Sequence, residues 1–166
     1  MSSMNKHDYV VFDIDGTSMA IPSVLVDKVE RAVLLTPVPE APSPVLGVVS
    51  DGGDIVPVLG LRARLGLQER NVRLSDRLLF SRCGGRRVAV LADSVGAVVE
   101  IIPEKARGMQ DIWPGVLFLK SIAGLGGDVV LMQDMDAVLS SEQEFRLDEA
   151  LRLMQEQDAE GISVND

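Results

Sequence analysis

Histidine, cysteine and aromatic residues are nearly missing from this chain, and each shortage removes a class of chemistry. His7 is the one histidine and lies close to the N-terminus, so catalytic sets that need an imidazole base are set aside. Cys83 is the one cysteine. It cannot form an intramolecular disulfide, and with no cysteine or histidine partner it is no metal ligand, so it reads as an ordinary strand residue in a reducing, cytoplasmic setting. Aromatics make up 4% of the chain against 46% hydrophobic residues, which leaves Val, Leu and Ile to fill the core. No stretch approaches the ~18 apolar residues of a membrane span, and Met1–His7 has no apolar signal core. Direct membrane insertion and export are therefore not expected. Positive charge is also short: 16 basic residues face 25 acidic ones, for a net charge of -9. Nucleic acid is excluded as a partner, because phosphate neutralisation needs a basic face.

The acidity is local. From Glu142 onward there are eight acids and two arginines, Arg146 and Arg152, so this end carries -6 of the -9. The charge belongs to a solvated C-terminal face rather than to a cleft. A length of 166 residues suits one domain or a compact pair of subdomains.

Short apolar runs separated by glycine turns fill most of the chain. Tyr9–Phe12 is a strand, Asp15-Gly16 a turn, and Met19–Pro22 begins the return. Val24, Val26 and Val29 continue as an extended stretch or a single helical turn. Pro37, Pro39, Pro42 and Pro44 forbid helix and enforce an extended surface crossing. Residues 77–81 and 87–91 flank Gly84-Gly85 as a hairpin. A strand over 95–102 is interrupted by Gly96 and ended by Pro103, and 104–113 is irregular. Strands over 116–122 and 129–132 flank a turn at 123–128. Gly124-x-Gly126-Gly127 in that turn lacks the lysine and helix start of a phosphate loop. After a short turn at 134–139, Ser141 and Glu144 have capping-box spacing. Leu147, Leu151 and Met154 then mark one face of an amphipathic helix, expected to pack on its own chain. The expected divisions are a disordered 1–7, a β-rich domain 8–140, a helix 141–157 and an acidic flexible tail 158–166. About nine or ten short strands and one helix indicate an all-β barrel architecture.

Pro44–Leu67 is the most informative segment. Val45–Val49 meets a polar turn, Ser50-Asp51-Gly52-Gly53-Asp54, and Ile55–Leu59 follows. Pro57 donates no ladder hydrogen bond, so its strand is expected at an edge or a bulge. Leu61–Gly66 is a short helical turn stopped by glycine. This order resembles the chemotaxis coupling-protein (CheW-like) family: a glycine-led apolar strand, a turn, a strand with a Val-Pro-Val core, then Leu-Arg-x-x-Leu-Gly. Tyr9–Phe12, Ile21-Pro22, Pro37-Val38-Pro39, Asp93-Ser94-Val95, Gly124 and Gly127–Leu131 stand in the matching order. The resemblance implies two packed five-stranded SH3-like β-barrel subdomains around a shared apolar core. It also implies a scaffold without catalysis, cofactor or metal. Its partners would be the regulatory domain of a CheA-type histidine kinase and the cytoplasmic tip of a chemoreceptor.

The partner-binding residues carried over with the resemblance are Val26, Lys28, Val29, Gly47, Ser50, Asp51, Gly52, Gly53, Arg62 and Val95. Each valine has an alternative reading as plain core, and Arg62 and Arg64 one as solvated charges. Gly47 is read as a point of close approach. The chain also departs from the family pattern. The turn arginine is Gly52, the asparagine Ser50, the apolar turn residue Asp51, and the aspartate after Val-Pro-Val is Gly60. A family glutamate that pairs with the turn arginine is Lys28. Losing both partners avoids stranding one charge, and Lys28 can instead meet Asp51 or Asp54 with the signs exchanged. The receptor link is thus expected to be altered or lost, and a divergent paralogue serving a pilus or gliding pathway is the alternative.

A reading of another class rests on Val10–Thr17, an apolar strand running into Asp13-x-Asp15-Gly16-Thr17. That matches the first motif of haloacid-dehalogenase-type phosphatases, with Asp13 as nucleophile, Asp15 as general acid/base and magnesium holding the phosphate. Such a fold needs a parallel sheet with long crossovers, whereas this chain offers hairpins, so Asp15-Gly16 is read as a turn.

Overall fold

The structure, a computed structural model, describes residues 7–102, 106–108 and 119–164. The strands among them are β1 (Asp8–Ile14), β2 (Thr17–Pro22), β3 (Val26–Arg31), β4 (Val45–Asp51), β5 (Asp54–Leu59), β6 (Arg77–Cys83), β7 (Arg86–Ala92), β8 (Ser94–Glu100), β9 (Ala106–Gly108), β10 (Leu119–Leu125) and β11 (Asp128–Gln133); one helix, α1 (Ser141–Val164), closes the chain. They form two sheets, ordered β8-β1-β2-β11-β10-β9 and β3-β6-β7-β5-β4. The two five-stranded units expected from the sequence are present. The six-stranded sheet gains its extra member from β9, three residues inside the segment read as irregular; the rest of that segment and residues 116–118 lie outside the described residues. The chain starts in the first sheet, builds all of the second, and returns to finish the first, so the two units are interleaved.

Alternation along the strands explains why both faces of so many are apolar. Val10, Phe12, Ile14, Met19 and Ile21 of one sheet meet Leu59, Leu79, Cys83, Val88 and Val90 of the other in a shared core. The intervening residues face inward within their own unit. Val56, Val58, Leu78, Phe80 and Ala89 fill the five-stranded one, and Ala20, Ala123, Val130 and Met132 the six-stranded one.

Several local expectations shift. The Pro44–Leu67 turn is two residues long, Gly52-Gly53, both at positive φ, and Ser50, Asp51 and Asp54 belong to the strands. The third hairpin likewise turns on Gly126-Gly127 alone, so Ala123, Gly124 and Leu125 are strand residues. Glycine pairs at these tips adopt the left-handed conformations that tight hairpins need. Pro57 is not on an edge strand, because β5 lies between β7 and β4, but the bulge expected as the alternative lies beside it: Val45 opposes Leu59 and Gly47 opposes Val58, which leaves Leu46 of β4 as the extra residue. Val48, the neighbour of Pro57, exchanges both backbone hydrogen bonds with Thr36, so Val48 and Pro57 form a non-hydrogen-bonded pair. The missing N–H of Pro57 points toward β7, where parallel pairing begins only at Val58. Gly96 does mark a bulge: Phe12 opposes Val95 and Val10 opposes Val98, so two residues of β8 face Val11.

The helix starts at Ser141 as expected, but its capping box sits one residue earlier. Ser140 Oγ accepts from Gln143 N, and Gln143 Oε1 accepts from Ser140 N, so the capping box is Ser140/Gln143 rather than Ser141/Glu144. The helix continues to Val164 instead of fraying at 157, because no proline stops it and Gly161 alone costs only about 1 kcal/mol. Leu147 is fully buried in the shared core with Leu151 against it, and Ala150 packs with Val38 and Val48. α1 therefore docks on its own chain. His7 is likewise tied in, its carbonyl accepting from Ile101 N.

Candidate functional site

Strand register brings charged residues to one end of the five-stranded unit. Lys28 of β3 pairs with Phe80 of β6, and Phe80 with Ala89 of β7, so all three share a sheet face, and Arg87 joins it two residues along. Phe80 is buried, and Lys28 Nζ and Arg87 Cζ lie 5.0 Å and 5.3 Å from its ring centroid, within cation–π range. Asp51, the last residue of β4, bonds both cations. Its Oδ1 lies 2.7 Å from Lys28 Nζ, and its Oδ2 accepts from Arg87 Nη2. Glu30 stands 3.0 Å from Lys28, and Asp54 3.6 Å from Arg87. The hydrogen bond from Lys28, followed by that from Arg87, holds the Asp51 carboxyl below the usual range. The bond to Asp51, then that to Glu30, raises Lys28. Lys28 thus meets Asp51 with the charge order reversed from the family pattern.

Around this cluster the candidate residues separate by exposure. Val29, Ser50, Gly52 and Gly53 are exposed beside it. Val26 and Val95 are half-buried and pack against the shared core. Gly47 is buried, and the close approach it permits comes from this chain's own crossing segment: a Cβ there would lie 2.7 Å from Thr36 O and 3.2 Å from Leu35 Cβ. Arg62 is not a solvated charge. Its side chain is 12% exposed and its Nη2 lies 2.7 Å from Asp93 Oδ1. Arg64 is half-buried, with Nη2 3.4 Å from Gln143 Oε1.

Asp93 is the junction that sequence reading missed. It sits between β7 and β8, where the chain leaves one sheet for the other. Its Oδ1 takes Arg62 and Arg70, both at 2.7 Å, while Oδ2 accepts from Asp15 N in the β1–β2 turn at 2.7 Å. Arg70 also grips the buried Asp76 with two bonds, of 2.8 and 2.9 Å. Burial pushes both carboxyls up, yet the bonds they accept outweigh it: from Arg70 and Arg73 N at Asp76, and from Asp15 N and Arg62 at Asp93. Both end below the usual range. Nothing in the one-dimensional pattern pairs a loop arginine with an aspartate 23 residues away.

The Asp13/Asp15 motif sits in the β1–β2 hairpin. Asp13 Oδ2 accepts from Gly16 N at 3.0 Å, which braces the turn. β1 runs antiparallel to both neighbours, β2 and β8, so the parallel crossover that phosphatase chemistry requires is not built around it.

Comparison with known proteins agrees with the architecture. A family model described as "CheW-like domain" matches residues 8–143. The chemotaxis protein CheW of Rhizobium meliloti (strain 1021) is 22% identical over 151 residues, covering 86% of this chain and 97% of that protein. Protein FrzA of Myxococcus xanthus is 33% identical over 90 residues, 54% of this chain and 56% of FrzA. The crystal structure of the scaffolding protein TtCheW from Thermoanaerobacter tengcongensis shares the fold with a TM-score of 0.74 at 20% identity, over 84% of this chain and 91% of that one.

Proposed function

Because the chain belongs to the CheW-like domain family, we propose that it is a non-enzymatic adaptor of chemotaxis-type signalling that couples receptors to a CheA-like histidine kinase. The family match over residues 8–143 carries this reading. Its mechanism is binding. A strand-lined surface meets the regulatory domain of the kinase, and the groove between the two units receives a helical receptor tip. The exposed positions Val29, Ser50, Gly52 and Gly53, grouped around the Lys28–Asp51 pair, support a contact at the β4–β5 tip. The reading carries a cytoplasmic location, and no helix among the described residues is long and apolar enough to cross a membrane.

A second reading, a divergent paralogue serving a non-flagellar pathway such as pilus or gliding control, rests on a specific observation. Identity to FrzA is 33% over 90 residues, against 22% over 151 to the rhizobial CheW, and the exchanged residues Ser50, Asp51 and Gly52 lie at the tip, where a partner is read.

Pull-down of the kinase regulatory domain and of a receptor cytoplasmic fragment, each from the same cell, tests both readings. The first expects both to bind, and Val29→Asp to weaken the kinase. The second expects kinase binding without the standard receptor tip. Magnesium-dependent hydrolysis of a phosphate ester, lost in Asp13→Asn, overturns both.

A further inference from the structure

α1 buries one side and leaves another uncovered. Leu147, Ala150, Leu151 and Met154 face the body of the protein. Phe145 is 66% exposed and Leu153 41% exposed, although an exposed phenylalanine is out of place on a chain with so few aromatics. These two side chains, with Ala41 of the proline-rich crossing, line a groove of ≈ 440 Å³ between the crossing and the helix. The groove lies on one flank of the helix, while Leu151 and Gln155 on the other flank line a pocket with Gly53 and Asp54 of the β4–β5 tip.

The rim charges say what fits. Glu142, Glu149 and Glu156 each stand three or four residues from Phe145 or Leu153, so they flank the apolar pair along the helix. Glu40, across the groove, adds a fourth acid. Arg146 lines the groove beside Glu40 and Glu149, and Arg152 is shared by Glu149 at 3.2 Å and Glu156 at 2.8 Å, so four acids face two arginines and the rim keeps a net negative charge. A second copy of this chain would bring the same acids against each other, and an anionic lipid surface would be repelled. A basic, amphipathic helical segment satisfies both features, seating its apolar side on Phe145 and Leu153 and its lysines or arginines on the rim.

We propose that the groove formed by α1 and residues 40–41 is a docking site for a basic amphipathic helix of a partner protein.

The test uses the full chain and an 18-residue peptide of leucine and lysine at helical spacing, with a leucine–glutamate peptide as its counterpart. The lysine peptide is expected to shift the amide resonances of residues 40–41 and 142–156. Phe145→Ser and Leu153→Ser together should weaken it at least about tenfold, as for loss of two interface anchors, with the helix retained by circular dichroism because neither side chain belongs to the core clusters. Glu149→Lys should weaken it as well. Equal binding of the glutamate peptide, shifts confined to another surface, or undiminished affinity in the double variant overturns the proposal. So does self-association of the free chain abolished by Leu153→Ser, or adsorption to phosphatidylserine vesicles through Phe145.

Discussion

Lys28 Nζ lies 2.7 Å from Asp51 Oδ1, and that carboxylate also binds Arg87, so a single acid bridges two cations poised at the ring of buried Phe80. Asp51 is the centre of the cluster and Lys28 one of its arms. Asp51→Asn is therefore expected to destabilise the fold more than Lys28→Met, since it leaves two like charges facing each other. Lys28→Glu should be worse than Lys28→Met, because it sets a third carboxylate beside Asp51 and Glu30. Urea unfolding of the three variants orders them, and a Lys28→Glu protein as stable as the parent sinks the account.

The pH response follows from the depressed carboxyls of Asp51, Asp76 and Asp93. Their folded values lie below the unfolded value, so their stabilisation is complete well above the unfolded aspartate value of about 3.9. It is lost as pH falls through the folded values. Stability measured by urea titration should hold from pH 7 to about 5 and then decline. Asp76→Asn should lower stability at pH 7 and flatten the decline, since its own contribution no longer titrates. A parallel, equally steep curve for that variant would rule this out.

Two glycines outside the turns should respond differently to a methyl group. At Gly47 the new Cβ meets the Thr36 carbonyl, a backbone atom bonded to Val48 that cannot swing away. Gly47→Ala should cost ~1–3 kcal/mol and loosen the bridge between residue 36 and β4. At Gly60 the nearest atoms to a new Cβ are Cγ and both Cδ atoms of Leu46, at 2.7–3.0 Å; these belong to a side chain, which can change rotamer, so the cost of Gly60→Ala should be smaller. Chemical denaturation of both variants compares them, and equal losses would refute the distinction.

α1 offers a contrast between packing and capping. Leu147→Ala empties a fully buried site in the shared core and should cost ~2–5 kcal/mol. Ser140→Ala removes one arm of the capping box and should cost about 1 kcal/mol. Hydrogen exchange should then show the first turn of α1 opening in Ser140→Ala, while Leu147→Ala loosens the helix along with the core. If Ser141→Ala proves the costlier cap variant, the box has been assigned one residue too early.

Much of the fold could be read along the chain because its signals are local. Apolar runs with period two, glycine pairs at hairpin tips and the apolar stripe of the helix depend on neighbours within a few residues, so strands, turns and α1 were legible. A meeting of Lys28 with Asp51 or Asp54 was also legible, since Lys28 reverses the charge of the family glutamate and both aspartates lie at the hairpin; the fold selects Asp51. Boundaries were less legible. Ser140 and Ser141 are chemically alike, and which one caps is settled by where the chain enters the helix.

By itself the sequence determined the class of the molecule: an acidic, cysteine-poor, β-rich chain with hairpin spacing and one amphipathic helix. Only tertiary structure decided what its ambiguous residues do. Arg62 is held by Asp93, Gly47 yields space to Thr36, Pro57 sits in mid-sheet where its missing N–H meets no ladder, and Phe145 is left in the open. Each outcome depends on segments far apart in sequence arriving at one point, and no local pattern encodes that distance.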